Sequence, residues 1–262
     1  MMERITSRKN PFLQQVRRLL GSRRARQEAN LFVADGTKLL QEAVSWYPGL
    51  ETVILADGVE TAPLPAGVRV VRVPPDVMES ISPMQAPQGA LFLCRYPGAK
   101  ELTVLPGTLI LDGIQDPGNL GGMLRTADAL DVPVVLTEDC ADPFGWKAVR
   151  ASMGALFRNP PVSGTCEAIL AACQKSGSPL AVTGMSACAT DIRTAPLSDW
   201  AVVIGSEGQG VRREFLEASS QMVTIPMNHR CESLNAAAAA AIVMWQMRMK
   251  TKFIPILDDG EK

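Results

Sequence analysis

The sequence predicts an α/β protein: a small amino-terminal α/β unit, followed by a mostly parallel sheet with helices on both faces. Short runs rich in β-branched residues alternate along the chain with segments of helical apolar spacing. Such alternation is typical of parallel sheets that are covered on both faces. Residues 96–107 contain two Pro and two Gly, which indicates a linker between two units.

Apolar periodicity places the elements of each unit. In the first, residues 1–95, it predicts helices over 10–20 and 37–47 and strands over 52–55, 69–73 and 90–94. In the second, residues 108–262, it predicts strands over 108–112, 133–137, 180–183, 200–204 and 222–225. The helices of this second unit are predicted over 120–130, 145–156, 166–175, 212–218 and 233–250. We expect the second unit to fold without the first, because it holds a complete alternation of strands and helices.

Composition narrows the class of protein. The chain has 262 residues, of which 47% are hydrophobic and 20% charged, as in soluble globular proteins. No apolar run approaches the ~20 residues that span a bilayer, and the amino terminus lacks the apolar region of a secretory signal. The six cysteines form no CxxC pair, so we expect reduced thiols in a cytoplasmic protein without a membrane segment.

Positive charge is concentrated at the amino terminus, although the formal net charge is only -1. One acid, Glu3, stands within residues 1–26 against eight basic residues: Arg4, Arg8, Lys9, Arg17, Arg18, Arg23, Arg24 and Arg26. A charge run alone is explained by a solvated helix face. An excess of this size favours contact with a polyanion such as RNA.

Several common catalytic motifs are missing from the sequence. No GxxxxGK[ST] string occurs, which argues against a P-loop NTPase. The single histidine, His229, excludes an HExxH zinc site and disfavours His-dependent nucleophilic triads. Residues 205–210 follow a predicted strand, but their spacing is GxxGxG and not the dinucleotide GxGxxG. A nicotinamide-dependent oxidoreductase is therefore a weak alternative.

Polar turns follow three of the predicted strands, where open α/β sheets bind ligands. They span residues 116–128, 204–211 and 225–235 and carry Asn119 with Arg125, then Glu207, then Ser233 with Asn235. Capping would explain Asn119 or Ser233 alone, and a surface ion pair would explain Arg125 alone. Neither explains why polar turns recur at three strands of one sheet.

The motifs resemble a known family, the SpoU (TrmH) branch of the SPOUT methyltransferases, over residues 108–250. The resemblance is carried by Asn119-x-Gly121-x-x-x-Arg125-Thr126-Ala127, by Ile204-Gly205-x-Glu207-Gly208-x-Gly210, and by Ile225-Pro226-Met227 followed by Glu232-Ser233-Leu234-Asn235. The first unit, with Phe32-Val33-x-x-Gly36-x-Lys38, resembles the ribosomal-protein-L30-like substrate-binding domain of rRNA-specific members. His229 and Cys231 depart from the usual third motif, which suggests a different path of that loop.

The resemblance implies an S-adenosylmethionine-dependent RNA ribose 2′-O-methyltransferase that acts on 23S ribosomal RNA and needs no metal. It also implies a deep carboxyl-terminal trefoil knot and a homodimer in which the catalytic arginine reaches the partner's cofactor site. A tRNA 2′-O-methyltransferase and a catalytically inactive RNA-binding module of the same fold remain as alternatives.

The resemblance further implies a role for individual residues. The catalytic set is Asn119, Arg125, Glu207, Ser233 and Asn235. Arg125 would act by charge and hydrogen bonding rather than as a base, since arginine holds its proton tightly. Asn119, Glu207 and Ser233 would orient Arg125 and the ribose. Cofactor binding would involve Thr183, Gly184, Met185, Gly205, Glu207, Gly208, Ile225, Met227, Ser233, Leu234 and Asn235. RNA binding would involve Arg8, Lys9, Arg17, Arg18, Arg23, Arg24, Arg26, Lys38 and Arg125.

Overall fold

The computed structural model describes residues 3–186 and 188–249. The elements of the first unit are β1 (Glu3–Arg4), α1 (Pro11–Gly21), α2 (Arg23–Ala29), β2 (Leu31–Asp35), α3 (Thr37–Trp46), β3 (Leu50–Ala56), β4 (Arg69–Val73), α4 (Pro75–Ile81) and β5 (Ala90–Arg95). Those of the second are β6 (Leu109–Asp112), α5 (Pro117–Ala129), β7 (Val134–Thr137), α6 (Trp146–Ala151), α7 (Ala155–Arg158), β8 (Val162–Gly164), α8 (Cys166–Ser176), β9 (Leu180–Thr183), β10 (Thr190–Asp191), β11 (Ala201–Gly205), α9 (Arg213–Ala218), β12 (Gln221–Thr224) and α10 (Ala236–Arg248).

The strands form two sheets. The first has the order β1-β4-β3-β5-β2, and β5 runs antiparallel to both of its neighbours. The second has the order β10-β12-β9-β11-β6-β7-β8, and all of its pairings are parallel. Because the strands are parallel, the loops that follow β6, β9, β11 and β12 all lie at one edge of this sheet.

Helices cover both faces of the parallel sheet, which confirms the predicted α/β class. Along β6, Leu109 and Leu111 pack in a core with α5 and α10, whereas Ile110 packs in another core with α8 and α9. This alternation follows from the pleat, since successive side chains of a strand point to opposite faces.

Two of the helix starts differ from the prediction in a way that matters for the site. Helix α5 begins at Pro117 and is capped by Asp116, whose Oδ1 accepts a hydrogen bond from the Asn119 backbone N–H at 2.7 Å. Helix α10 is capped by Asn235, whose Oδ1 accepts from the N–H groups of Ala237 and Ala238. Asn119 and Ser233 therefore do not serve as the caps of these two helices.

The predicted last helical residue, Lys250, and the end of the second unit lie outside the described residues.

The predicted helix over 145–156 is wrong in one respect, because it is broken into α6 and α7. Met153 and Gly154 between them have φ angles of 49° and 93°, which a continuous right-handed helix does not allow. Helix α5 approaches α6 closely just before this break: a Cβ at Gly121 would lie 2.4 Å from the Ala148 carbonyl oxygen. Helix α6 thus lies directly against the helix that carries Asn119 and Arg125.

The two sheets share an apolar core at their junction. Phe32 of β2 lies 5.1 Å from Phe144 and 6.4 Å from Phe157 between ring centroids, and Phe92 lies 6.0 Å from Phe157. All four rings belong to the core that also contains Leu109 and Leu111. Removing residues 1–95 would expose Phe144 and Phe157, so this geometry weighs against the expectation that the second unit folds by itself.

Candidate active site

A cavity of about 320 Å³ opens at the carboxyl ends of β9, β11 and β12. Nine residues predicted from the sequence for cofactor binding line it: Thr183, Gly184, Met185, Gly205, Glu207, Ile225, Met227, Ser233 and Leu234. Gly208 and Asn235, predicted with them, are not among the lining residues. The second and third polar turns therefore meet at one concave site.

The apolar wall of this cavity was not predicted. It is formed by Ile192, Ile204, Val211, Val223, Ala236 and Ala239. Ile204 and Val223 are strand residues, and their apolar character predicted burial without showing that they face a cavity. Ala236 and Ala239 are the first and fourth residues of α10, and their small side chains leave room in the cavity. The site thus combines an apolar wall with a polar rim.

The turn after β11 folds back tightly on Gly205. A Cβ at this position would lie 2.1 Å from the Gly210 carbonyl carbon and 2.3 Å from the Val211 nitrogen, so only glycine fits. The Gly210 N–H donates to the Ser206 carbonyl at 2.9 Å, and Gly210 has φ of 69°, in the left-handed region. The turn is therefore a closed loop whose shape is fixed by its own backbone.

Side chains of all three polar turns form one hydrogen-bonded chain. Asn119 Nδ2 donates to Glu207 Oε1, and Asn235 Nδ2 donates to Asn119 Oδ1 at 3.1 Å. Asn235 also caps α10 through Oδ1, so both the nitrogen and the oxygen of its side-chain amide are hydrogen-bonded. These hydrogen bonds between side chains link the starts of α5 and α10 to the loop after β11. Three of the five predicted catalytic residues are thereby in direct contact.

Arg125 stands apart from this chain. It is exposed on α5, about 9 Å along the helix from Asn119 at 1.5 Å per residue. The sequence suggested that Glu207 orients Arg125, but the structure places the Glu207 carboxylate on Asn119. Ser233, the fifth predicted residue, is exposed and lines the cavity. Within the part of the chain that the structure describes, Arg125 has no hydrogen bond or ion pair with another side chain.

The basic segment at the amino terminus is folded, and Arg26 within it is buried. Its guanidinium donates to Asp142 Oδ2 through Nε at 2.9 Å and to the Leu19 carbonyl through Nη1 at 2.6 Å. The side chains of Arg26 and Asp142 are only 7% and 11% exposed. The assignment of Arg26 to RNA is therefore wrong for this structure: a phosphate does not reach a guanidinium that bridges the two units.

The other predicted RNA-binding residues stay at the surface to different degrees. Arg8 pairs with Asp76, and Arg18 and Arg24 share Glu28, in ion pairs that are solvent-exposed. Arg17 is half-buried and donates to the Ser80 carbonyl and hydroxyl. Three more are exposed and, among the described residues, have no acidic partner: Lys9, Arg23 and Lys38. Arg23 donates to the Cys140 carbonyl across the junction at 3.3 Å.

The departures from the third motif fall in an exposed turn. Both the Cys231 backbone N–H, at 2.9 Å, and the Arg230 backbone N–H, at 3.1 Å, donate to Asn228, the first to its carbonyl and the second to its side chain. His229 and Cys231 are exposed and do not line the cavity.

Within residues 3–186 and 188–249, no cluster of His, Cys, Asp or Glu is arranged to hold a metal ion. No helix over those residues is long and apolar enough to cross a membrane.

Models of known protein families match both units of the chain. The model of the SpoU rRNA methylase family matches residues 106–245, and that of the MRM3-like substrate binding domain matches residues 10–91. The chain is 30% identical over 250 residues to the 23S rRNA (guanosine(2553)-2′-O)-methyltransferase RlmP of Bacillus subtilis. That similarity covers 94% of this chain and all of the relative.

Solved structures are similar over nearly the whole chain. The AdoMet-bound rRNA methyltransferase from Sinorhizobium meliloti aligns with a TM-score of 0.84 at 26% identity and covers 96% of this chain and 99% of its own. The SpoU methyltransferase AviRb from Streptomyces viridochromogenes, in complex with the cofactor AdoMet, aligns with a TM-score of 0.79 at 26% identity. That alignment covers 93% of this chain and 100% of the AviRb chain.

Proposed function

The chain belongs to the SpoU rRNA methylase family, and we propose that it is an S-adenosylmethionine-dependent ribose 2′-O-methyltransferase of 23S ribosomal RNA. One observation carries the proposal: residues of the second and third polar turns line one cavity, and Asn119 of the first turn is hydrogen-bonded both to Glu207, which lines that cavity, and to Asn235. The 23S substrate is inferred from the relative that acts on that RNA, over whose full length this chain aligns.

The cavity fits the proposed cofactor in size and chemistry. Its apolar wall, with Ile204, Val223 and Ala239, suits an adenine ring, and Glu207 and Ser233 offer polar atoms at the rim. Both AdoMet-bound neighbours support the same choice. We assign the backbone groups of the turns after β9, β11 and β12 to the cofactor's adenosyl and methionyl parts. When bound, the cofactor supplies a methyl group that its sulfonium has already activated.

The task of the protein is then to position the ribose and to stabilise charge on its 2′-oxygen. We assign that task to Arg125, whose planar guanidinium suits a ribose oxygen or the adjacent phosphate. Asn119 and Asn235 are held rigidly by Glu207 and by the start of α10, which supports a role in fixing the geometry around the reacting ribose. Ser233 would contribute its hydroxyl at the rim of the cavity.

We further propose a homodimer, in which Arg125 of one protomer reaches the cavity of its partner. One face of α10, continued by its C-cap residue Met249, exposes Ile242, Trp245 and Met249, which are 41%, 57% and 62% exposed. These positions are three and four residues apart and so lie on one side of the helix. Helix α10 packs against α5, the helix that carries Arg125, so a second copy on this face would lie on the same pair of helices. An exposed apolar patch on a helix that packs against α5 favours such an interface.

RNA contact is proposed for the surface of the first unit, which matches a substrate-binding family model. The exposed residues of the basic set, among them Lys9, Arg23 and Lys38, are assigned to phosphate contacts, whereas Arg26 is left out because its guanidinium is buried against Asp142. A carboxyl-terminal trefoil knot and a cytoplasmic location, where ribosomal RNA is modified, complete the proposal.

The experiment combines binding and transfer. Calorimetry with S-adenosylmethionine should give a dissociation constant of about micromolar strength, or −8 kcal/mol. Purified protein with tritium-labelled cofactor should then label 23S ribosomal RNA and leave tRNA unlabelled. Binding of cofactor without transfer to any RNA would support the inactive RNA-binding module, and label in tRNA alone would support the tRNA enzyme. Absence of cofactor binding would refute the proposal.

A further inference from the structure

A buried carboxylate stands at the end of β6, next to the loop that carries Glu207. Asp112 pairs in register with Gly205 of β11, and its side chain is only 3% exposed. Both of its carboxylate oxygens accept hydrogen bonds from one residue, Arg212: Oδ2 from the backbone N–H at 2.8 Å and Oδ1 from Nε at 2.6 Å. Arg212 is the residue directly before α9, where the loop ends.

The same arginine also binds a second carboxylate. Arg212 Nη2 donates to both oxygens of Asp139, in the loop after β7, at 2.8 Å each. Burial acts to raise the pKa of Asp139, but hydrogen bonds from Thr137 and Arg212 outweigh it and hold that pKa below its ordinary value. Burial likewise acts to lower the pKa of Arg212, and its bonds to Asp112 and Asp139 outweigh that effect and raise it. Asp139 and Arg212 therefore stay charged across the physiological range.

The position of the loop depends on where its two ends are tied. Its internal shape is set by the Gly210 to Ser206 backbone bond and by the close approach at Gly205. Those contacts lie within the loop and do not attach it to the rest of the sheet. Its beginning is attached by the pairing of β11 with β6, and its end is attached by Arg212 to the same strand, at Asp112.

We propose that Arg212 is a positioning residue: by bonding Asp112, it holds the loop 205–211 where Glu207 accepts the hydrogen bond from Asn119 and lines the cavity. The ion pair lies outside the cavity, since neither Arg212 nor Asp112 lines it. Without these side-chain bonds, the end of the loop retains the backbone N–H bond to Asp112 and the packing of Val211 in the core. Glu207 and Ser206 would then sample positions that no longer fit the cofactor or hold Asn119.

The inference rests on the proposed function, and the chain offers a matched control for it. Arg213 is the next residue, is also an arginine, and pairs with Glu217 on the surface, where the side chains are 86% and 61% exposed. We compare Arg212→Gln, Arg212→Lys and Arg213→Gln in the full-length protein. Loss of a hydrogen bond to a charged group should raise the KM for S-adenosylmethionine about tenfold in Arg212→Gln.

The pattern across the variants separates positioning from a merely structural role. In Arg212→Gln the KM for RNA should stay within about twofold, because the proposed RNA-binding residues other than Arg125 lie on the first unit. Arg212→Lys keeps the charge and should be intermediate, and Arg213→Gln should match the wild type. Hydrogen exchange of the amides in 206–211 should be faster in Arg212→Gln alone. Asp139→Asn, at an exposed carboxylate, should change the KM for the cofactor little.

Several outcomes would overturn the inference. An equal rise in the KM values for cofactor and RNA would indicate general destabilisation. So would a fall in unfolding midpoint with unchanged KM values, or equal effects of Arg212→Gln and Arg213→Gln. If Arg212→Gln does not fold, Arg212→Lys decides by the same comparison. Failure of the proposed function is distinguishable, because the wild type would then bind no cofactor while hydrogen exchange would still report on the loop.

Discussion

Replacing Arg26 with methionine separates a structural role of the basic segment from an RNA-binding role. The change removes the guanidinium bonds to Asp142 and to the Leu19 carbonyl, and it leaves the Asp142 carboxylate in a site that is 11% exposed. Breaking a buried ion pair by removing one partner costs about 3–5 kcal/mol. We expect a loss of that size in the free energy of unfolding and no change in the salt dependence of RNA binding.

Urea unfolding followed by circular dichroism measures the first quantity, and RNA binding between low and moderate salt measures the second. Arg24→Met is the matched control, because the Arg24 side chain is 87% exposed and only shares Glu28. It should leave the urea midpoint unchanged and reduce the salt slope by about one. If Arg26→Met unfolds at the wild-type midpoint while its salt slope falls as in Arg24→Met, the buried bridge is refuted.

Three further substitutions test the site. Arg125→Ala should abolish methyl transfer and leave the cofactor dissociation constant within a few fold, and near wild-type turnover would refute the role of Arg125. Gly205→Ala, whose Cβ would lie 2.1 Å from the Gly210 carbonyl carbon, should weaken cofactor binding, measured by calorimetry, about tenfold or more. Unchanged affinity would show that the loop can change its conformation without affecting the cavity. Trp245→Glu, on the exposed face of α10, should give a monomer by light scattering without transfer activity, and an active monomer would exclude a shared site.

Much of the fold was predictable where local pattern and tertiary burial agree. The strands at 69–73 and 180–183 are apolar, rich in β-branched residues and bounded by turns, and both were predicted with their observed bounds. Helix α2 was missed because its sequence, RRARQEA, has no apolar stripe. Its burial depends on Ala25 and on Arg26, whose partner Asp142 lies 116 residues away in the sequence. A window along the chain contains no such signal.

In the candidate site, too, the residues that belong to local motifs were predictable, and the contacts between distant residues were not. Asn119, Glu207 and Asn235 were predicted from three motifs in the expected order, because each follows a strand of one parallel sheet. The hydrogen bonds between them were not predicted, since Asn119 and Glu207 are 88 residues apart in the sequence. The sequence suggested Arg125 as the partner of the Glu207 carboxylate. The contribution of Arg212 was also missed, because a loop arginine before a short helix has no local feature that indicates a buried carboxylate at the end of the neighbouring strand.

The central claim is that this chain methylates the 2′-oxygen of a ribose in 23S ribosomal RNA. Its most direct test uses S-adenosylmethionine with a deuterated methyl group, unmodified 23S ribosomal RNA, and mass spectrometry of the nucleosides and of mapped fragments. We expect one trideuteromethyl group on a ribose 2′-oxygen at one position, and none with Arg125→Ala. A label on a base, or a label on the ribose that persists at wild-type level in Arg125→Ala, would contradict it.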